Sequence, residues 1–431
     1  MTLDLNNHSK LYFLDSINPI KYGNKIIKAI LLPHASNKYI NSIIYPIFNG
    51  INLDSFDKIL ILTTNHNSKK NYTPSSFFLT FNEQLLELEP FIHESVEMND
   101  EYFYNEHSYL SILSTLFNFN KKIQIIAIGH YNQLLCDYIS EMIMNENILL
   151  IANTDLLHCG PNYNISCPSN ISLHNLETIQ DILNDRKINK NDACGIPVIE
   201  MFQCIINNTN LKDKWTQYVY NSSDQVFDYD KNENSVGYVG IEYSDSIPSY
   251  LVEIPKKVLD YIYRNEIKDF CTREFSIAFR KYYNLPYYVK LKDVTGIFVT
   301  IEYNNQLRGC IGTFTLDNHF DIIDVIIEKT LDSLCNDSRF KPVPYSLLPE
   351  LTTKINFLKK SFPIDYENFN DIFQLGLHGI TVYFQDGKSA TYLPSVLYDF
   401  KNKDEIIESL RKKANSKDEI KKIELYESIE L

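Results

Sequence analysis

Four short runs limit what this chain folds into more than any other feature: "KIIKAILLPHA" from Lys25, "FDKILILTTNH" from Phe56, "IQIIAIGHY" from Ile123 and "NILLIANTDLLH" from Asn147. Each is a nearly continuous block of Ile and Leu without the apolar–polar alternation of a sheet wetted on one side, so each reads as a strand covered on both faces. Between them lie segments with helical spacing, such as "HSYLSILSTLFNF" and "QLLCDYISEMIMN". Strands and helices alternating in this way predict an α/β fold with a largely parallel sheet.

After residue 250 the order changes. A long helical stretch, "PKKVLDYIYRNEIKDFCTREFSIAFRKYYN", precedes a hairpin, "GIFVTIEYNNQLRGCIGTF". A helix, "FDIIDVIIEKTLDSLCND", and the strands "TTKINFLKK" and "GITVYFQDGKSATYL" follow. This is an α+β pattern with antiparallel pairs. A chain of 431 residues exceeds what one core usually holds. Charge marks the same division: from residue 251 onward there are 25 Lys+Arg and 27 Asp+Glu, so nearly all the acidic excess of the whole chain, 55 against 41, lies before it. The reading is therefore a domain over 1–245, a Pro-containing linker over 246–256 ("IPSYLVEIP") and a second domain over 257–431.

The net charge of -14 argues against a broad nucleic-acid footprint. The N-terminus has no basic segment followed by an apolar core, and no run approaches eighteen apolar residues, so the expectation is a soluble, unprocessed chain without a membrane partner. Eight Cys are scattered with no C-x-x-C pair. That distribution predicts reduced thiols in a cytoplasmic protein, with no structural zinc site.

Three of the buried runs end in polar clusters: Pro33-His34-Ala35, Thr64-Asn65-His66-Asn67, and Asn153-Thr154-Asp155 with His158 three residues on. Ligands of open α/β sheets gather at the carboxyl ends of the strands, where these groups would meet. His34 and His66 offer two imidazoles. His158 offers a third, or an acid/base group oriented by Asp155. In "NDACGIPVIEMFQCII", Cys194 precedes a helix whose early Pro197 suits a first turn, a place that favours a thiolate. The plain alternative for Cys194 is a small buried hydrophobe. Two imidazoles and a thiolate suit copper, iron or zinc.

The motifs "LLPHASNKY", "LTTNHNS", "NEHSYLSIL", "NTDLLHCGPNY", "ACGIPVIE" and "NSVGYVGIEY" resemble, in this order, those of the Memo family over about residues 10 to 245. That family is similar to the class III extradiol ring-cleaving dioxygenases, with a Cys in place of the usual metal-binding carboxylate. The resemblance implies a metal site at His34, His66 and Cys194, places Asp155 and His158 at the family's second Asp and His, and retains His107 as a site-lining residue. It implies copper or iron, redox activity, or alternatively a non-catalytic adaptor that binds peptide or phosphopeptide ligands in signalling. The chain departs from the family at Ser36-Asn37, at Asn67 where the family has a second His, and at Ile112 where it has another.

In the hairpin, the period of two puts Arg308, Cys310 and Gly312 on one face and Leu307, Gly309 and Ile311 on the other. A cation beside a thiol favours the thiolate, which makes Cys310 a candidate for nucleophilic or redox work. Glycines inside a strand mark close approach of another backbone or a ligand. The plain alternative is that Arg308 bridges to an internal carboxylate while Gly309 and Gly312 admit a helix. "LRGCIGTF", "DSRFKPV", "GLHGITV" and "ATYLPSVL" resemble the AMMECR-type domain over about residues 250 to 431. That resemblance adds Asp337, Arg339, Phe340 and His378 to a surface shared with Arg308 and Cys310. Memo-like and AMMECR-like proteins are often encoded beside a radical S-adenosylmethionine protein, which the resemblance implies as a partner. The C-x-x-x-C-x-x-C run of such an enzyme is absent from this chain.

Overall fold

The computed structural model describes residues 2–4, 27–48, 51–75, 77–81, 84–106, 108–113, 116, 121–223, 234–267, 273–283, 285–316 and 321–431. The chain divides into two compact units. The first takes Met1–Leu251 and Arg280–Lys292, and the second takes Val252–Phe279 and Asp293–Leu431.

The first unit is built on a mixed sheet. Its strands are β1 (Ile27–Leu32), β2 (Lys58–Thr64), β3 (Phe77–Phe81), β4 (Gln84–Glu89), β5 (Lys122–Ile128), β6 (Ile148–Asn153), β7 (Trp215–Ser222), β8 (Ser235–Ser244) and β9 (Tyr288–Leu291). Their spatial order is β3-β4-β5-β2-β6-β1-β8-β7-β9. The run from β4 to β1 is parallel, and β3, β8, β7 and β9 extend it antiparallel on the two sides. All four Ile/Leu runs are in the parallel centre. β6 is buried at every residue, and β2 at all but Lys58. Helices α1 (Asn37–Phe48), α2 (Asp100–Asn105), α3 (Gln133–Asn145), α4 (Ile171–Leu183) and α5 (Ile196–Asn208) accompany the sheet. Asn132 and Asn170 cap α3 and α4, each side chain accepting a backbone N–H of the first turn.

Several expectations are corrected. The stretch read as a linker is helical from Ser249, within α6 (Ser249–Arg264). Its apolar residues Leu251, Ile254, Val258, Leu259 and Ile262 are fully buried, which outweighs the interruption at Pro255. Nor is the first unit continuous, because β9 adds to its sheet edge, pairing Val289 with Val219 of β7. "HSYLSILSTLFNF" gives only a four-residue helix, Leu110–Leu113, with much of its remainder outside the described residues. The thiols are not all free. Cys136 on α3 is bonded to Cys204 on α5, and Cys159 to Cys167. The first pair is brought together by helix packing across 68 residues, and the second by a loop closed through the Gly160–Ile165 bridge, so neither shows as a short motif.

The second unit is α+β, with a separate six-stranded antiparallel sheet. β10 (Val294–Tyr303), β11 (Gln306–Thr313), β12 (Thr352–Ile364), β13 (His378–Phe384), β14 (Ser389–Tyr392) and β15 (Ile420–Glu430) lie in the order β11-β10-β12-β15-β13-β14. The β10–β11 hairpin turns at Asn304 and Asn305, both in the left-handed region that Asn tolerates. The predicted long helix is two helices, α6 and α7 (Arg273–Tyr282); α8 (Ile322–Cys335) follows the sequence pattern, and α9 (Lys403–Ala414) is a helix the sequence reading does not include. Among the described residues no helix is long and apolar enough to cross a membrane.

Candidate functional site

The parallel centre puts β2, β6 and β1 side by side, so their carboxyl ends open at one edge. Asn153, the last residue of β6, ties these ends together. Its side-chain oxygen accepts the Thr64 N–H (3.3 Å), its carbonyl accepts the Thr64 hydroxyl (2.9 Å), and its amide donates to the Ser108 carbonyl (3.3 Å). On the other side the Thr154 N–H donates to the Leu32 carbonyl at 2.9 Å. His34, His66 and Asp155 follow these anchored ends by one or two residues and therefore converge.

Cys194 reaches the same place from the loop before α5. Its N–H donates to the Asp155 carbonyl (3.1 Å), and the Gly195 N–H donates to the Thr154 hydroxyl (2.9 Å). Gly195 is required here by space. A Cβ at this position would lie 2.1 Å from Thr64 Oγ1 and 2.8 Å from Thr154 Oγ1. The Cys194 sulfur receives the Asp155 N–H at 3.3 Å and lies 3.5 Å from Thr154 Oγ1.

The sulfur is 3.4 Å from His34 Nε2, and one ligand atom each from His34, His66 and Cys194 falls within 4.8 Å of the others. The two imidazoles meet edge to face, with centroids 5.2 Å apart. Asp155 accepts the His34 N–H through Oδ1 (2.9 Å), and its Oδ2 is 3.7 Å from both His34 Nε2 and His158 Nε2. On the solvent side Glu106 Oε2 lies 3.6 Å from His66 Nδ1 and accepts the Asn67 amide at 3.4 Å, while Oε1 accepts the Ser108 N–H at 3.0 Å. His107 lies outside the described residues.

The electrostatics follow from this packing. Burial opposes charge on His34, but Asp155 and then Cys194 outweigh it, and the pKa rises to about 9. His66 rises to about 10, chiefly through its hydrogen bond to Cys194 and then through Glu106. Burial would raise the Cys194 thiol, yet the two imidazoles bring it down to about 5. Burial opposes the Asp155 charge too, and His34 and then His158 hold it below the ordinary carboxylate range. Thiolate and imidazoliums thus share protons that a metal ion with the same ligands would replace. The donor set fits such an ion, and among the described residues buried His34 Nδ1 has no hydrogen-bond partner.

In the second unit Gly309 lies under α8, where a Cβ would be 1.9 Å from the Ser333 carbonyl oxygen. A Cβ at Gly312 would be 2.2 Å from the Ile297 carbonyl oxygen. Cys310 donates its N–H to Asp337 Oδ2 at 2.8 Å, and its sulfur accepts from Thr300 Oγ1 at 3.3 Å. Asp337 also receives the Arg339 guanidinium (2.9 and 2.7 Å), which reaches on to the Cys310 carbonyl (3.1 Å). Among the described residues Arg308 bridges to no carboxylate. It donates to the carbonyls of Lys341 (2.6 Å) and Pro342 (3.5 Å). His378 packs against the Phe362 ring, with Nδ1 accepting the Gln374 N–H at 3.0 Å. Burial lowers its pKa.

A family model described as "Memo-like protein" matches residues 4–242, more than half of the chain. The chain belongs to the Memo-like family. The AMMECR1 family model matches residues 262–430, so a Memo-like domain is fused here to an AMMECR1 domain. Among curated relatives, an uncharacterized Schizosaccharomyces pombe protein is 28% identical over 34% of this chain and 75% of its own length. One from Saccharomyces cerevisiae is 36% identical over 27% of this chain and 49% of its own length. A protein of Methanothermobacter thermautotrophicus is 30% identical over 20% of this chain and 46% of its own. The chain thus spans about half the length of these last two. A solved structure of an uncharacterized Pyrococcus horikoshii protein covers 42% of this chain and 87% of its own, at 19% identity and a TM-score of 0.31.

Two residues of the Memo-like site escaped the sequence reading. Thr154 hydrogen-bonds around the cysteine loop, and Glu106 holds His66, although "NEHS" had been noticed for its histidine alone. The Memo-like departures have structural roles: Asn67 grips Glu106, and Ile112 is fully buried.

Proposed function

We propose that the Memo-like unit is a metal-binding, redox-active module whose ligands are His34, His66 and Cys194. The observation that carries this reading is the convergence of three donor atoms, within 4.8 Å of one another, from three separate loops. A thiolate with two imidazoles favours copper or iron over hard cations, and zinc is the non-redox competitor. Copper or iron held there would supply one-electron chemistry of the kind the resemblance to extradiol dioxygenases implies. The chain's own part is to deliver a pre-ionised thiolate and to hold Asp155 between His34 and His158. The His158 ring, with Nε2 3.7 Å from that carboxylate, is positioned to accept or return a proton.

Fusion to the AMMECR1 domain supports a shared process for the two units; the cytoplasm is the location proposed for it and a radical S-adenosylmethionine protein the partner proposed. The decisive experiment is metal analysis of the purified full chain beside Cys194→Ala and His66→Ala. About one redox-metal equivalent per chain, lost in both variants, supports the reading. A folded, metal-free wild type that still captures peptide or phosphopeptide ligands would replace it with the adaptor.

A further inference from the structure

The AMMECR1 unit carries a second cluster that the metal reading does not use. Phe340 has two guanidiniums over its ring, Arg308 of β11 at 5.7 Å and Arg339, from the turn after α8, at 5.5 Å. Both lie beside the partly exposed Cys310 thiol, Arg339 through its bond to the Cys310 carbonyl. Lys413, at the end of α9, donates Nζ to the Thr391 carbonyl (2.9 Å) and is seated 4.5 Å above the Tyr392 ring of β14. Strands β11 and β14 are opposite edges of the sheet, yet Phe314, just past β11, meets Tyr426 of β15 with ring centroids 6.1 Å apart. The Tyr426 hydroxyl in turn bonds Thr391 Oγ1 and donates to the Tyr392 carbonyl of β14, at 2.9 Å each, so the two edges are brought toward each other. Lys413 senses the result: burial and then the like charge of Arg339 lower its pKa, partly offset by Cys310.

Charge in this hollow is unbalanced. Its carboxylate, Asp337, already accepts the Arg339 guanidinium, the Arg339 N–H and the Cys310 N–H. Among the described residues neither Arg308 nor Lys413 has a carboxylate partner; both spend their donors on main-chain carbonyls. Three cations held near one another against one saturated carboxylate are costly unless an anion joins them. The unit as a whole is close to neutral, with 25 basic against 27 acidic residues from 251 onward, so the excess is local and suits a small ligand rather than a polyanion.

We propose that Arg308, Arg339 and Lys413 form a binding site for the oxyanion group, phosphate or carboxylate, of a small molecule, with the Cys310 sulfur at its edge. The guanidiniums on Phe340 supply planar, paired donors, and Lys413 supplies a point charge from the facing wall.

The test uses the full chain and two thiol probes of nearly equal size, iodoacetate and iodoacetamide, with the labelled peptides resolved by mass spectrometry. At low ionic strength the iodoacetate-to-iodoacetamide rate ratio at Cys310 should exceed that of the urea-unfolded protein by about tenfold, the scale of local electrostatic focusing. It should fall toward the unfolded ratio in high salt. Lys413→Ala should reduce the ratio several-fold in a protein that still melts in one cooperative transition. Inorganic phosphate that slows labelling more than acetate would assign a phosphate ligand, and the reverse a carboxylate. A native ratio equal to the unfolded one, indifference to Lys413→Ala, or a Cys310 sealed from both probes would each overturn the proposal.

Discussion

The Cys194 sulfur and His34 Nε2 lie 3.4 Å apart although 160 residues separate them in the chain. This contact, with His66 beside it, brings the thiol pKa down to about 5. In metal-free protein Cys194 should therefore react with iodoacetamide at pH 6 nearly as fast as at pH 8, its thiolate persisting until the pH falls through about 5. His34→Ala removes the larger attraction and should restore a steep fall below about pH 8, toward free-thiol behaviour. A rate profile that declines through pH 8 in the wild type would contradict the ion-pair arrangement.

Gly195 tests how the cysteine is placed. The Cβ of Gly195→Ala would overlap Thr64 Oγ1 at 2.1 Å, and Thr64 is fixed by its hydroxyl bond to the Asn153 carbonyl. The start of α5 must shift instead. A loss of about 1 to 3 kcal/mol, the usual cost of overpacking, is expected in denaturant unfolding, together with slower Cys194 alkylation at pH 6. Full stability with an unchanged rate would show that the loop has room to spare.

How much of this was legible beforehand depended on range. The four Ile/Leu runs announced a parallel centre because burial on both faces leaves a mark in every residue of a strand. His34, His66 and Cys194 were legible because each follows a strand end or precedes a helix start, positions set locally. The edge strands were harder. β9 is four residues, Tyr288–Leu291, and its pairing with β7 is fixed by tertiary contacts rather than by periodicity. The same holds for Arg308: strand alternation placed it beside Cys310, but its carbonyl partners at 341 and 342 come from a turn more than thirty residues on. Lys413 gave no signal, since its charge becomes notable only where the sheet bends.

The Cys136–Cys204 bond makes a prediction of its own. It joins α3 to α5, the helix that begins just after Cys194. A non-reducing peptide map should recover this cross-link and the Cys159–Cys167 one. Cys204→Ser should destabilise the chain by about 2 to 4 kcal/mol relative to wild type without reductant, and by much less with it, since the wild type then lacks the bridge as well. An equal difference under both conditions would mean that the serine, not the lost bridge, does the damage.

Asp337 gives the acid limb of the second unit. The Arg339 guanidinium first, and the Cys310 N–H after it, overcome the cost of burial and hold the carboxyl at about 2, against an ordinary value of 3.8. A folded-state pKa below the unfolded one means that the unfolded chain takes up the proton first. The resulting stability is complete above about pH 4 and is lost as pH falls toward 2. Arg339 is 54% exposed, so solvent screens part of the attraction, and about 1 to 2 kcal/mol at neutral pH is the reasonable size. Asp337→Asn should lower neutral-pH stability by that amount and make the profile between about pH 4 and 2 shallower by the share of this one carboxylate. Thermal midpoints measured on the full chain across that interval decide the matter: parallel profiles for the two proteins would show that Asp337 is not held by Arg339 in solution.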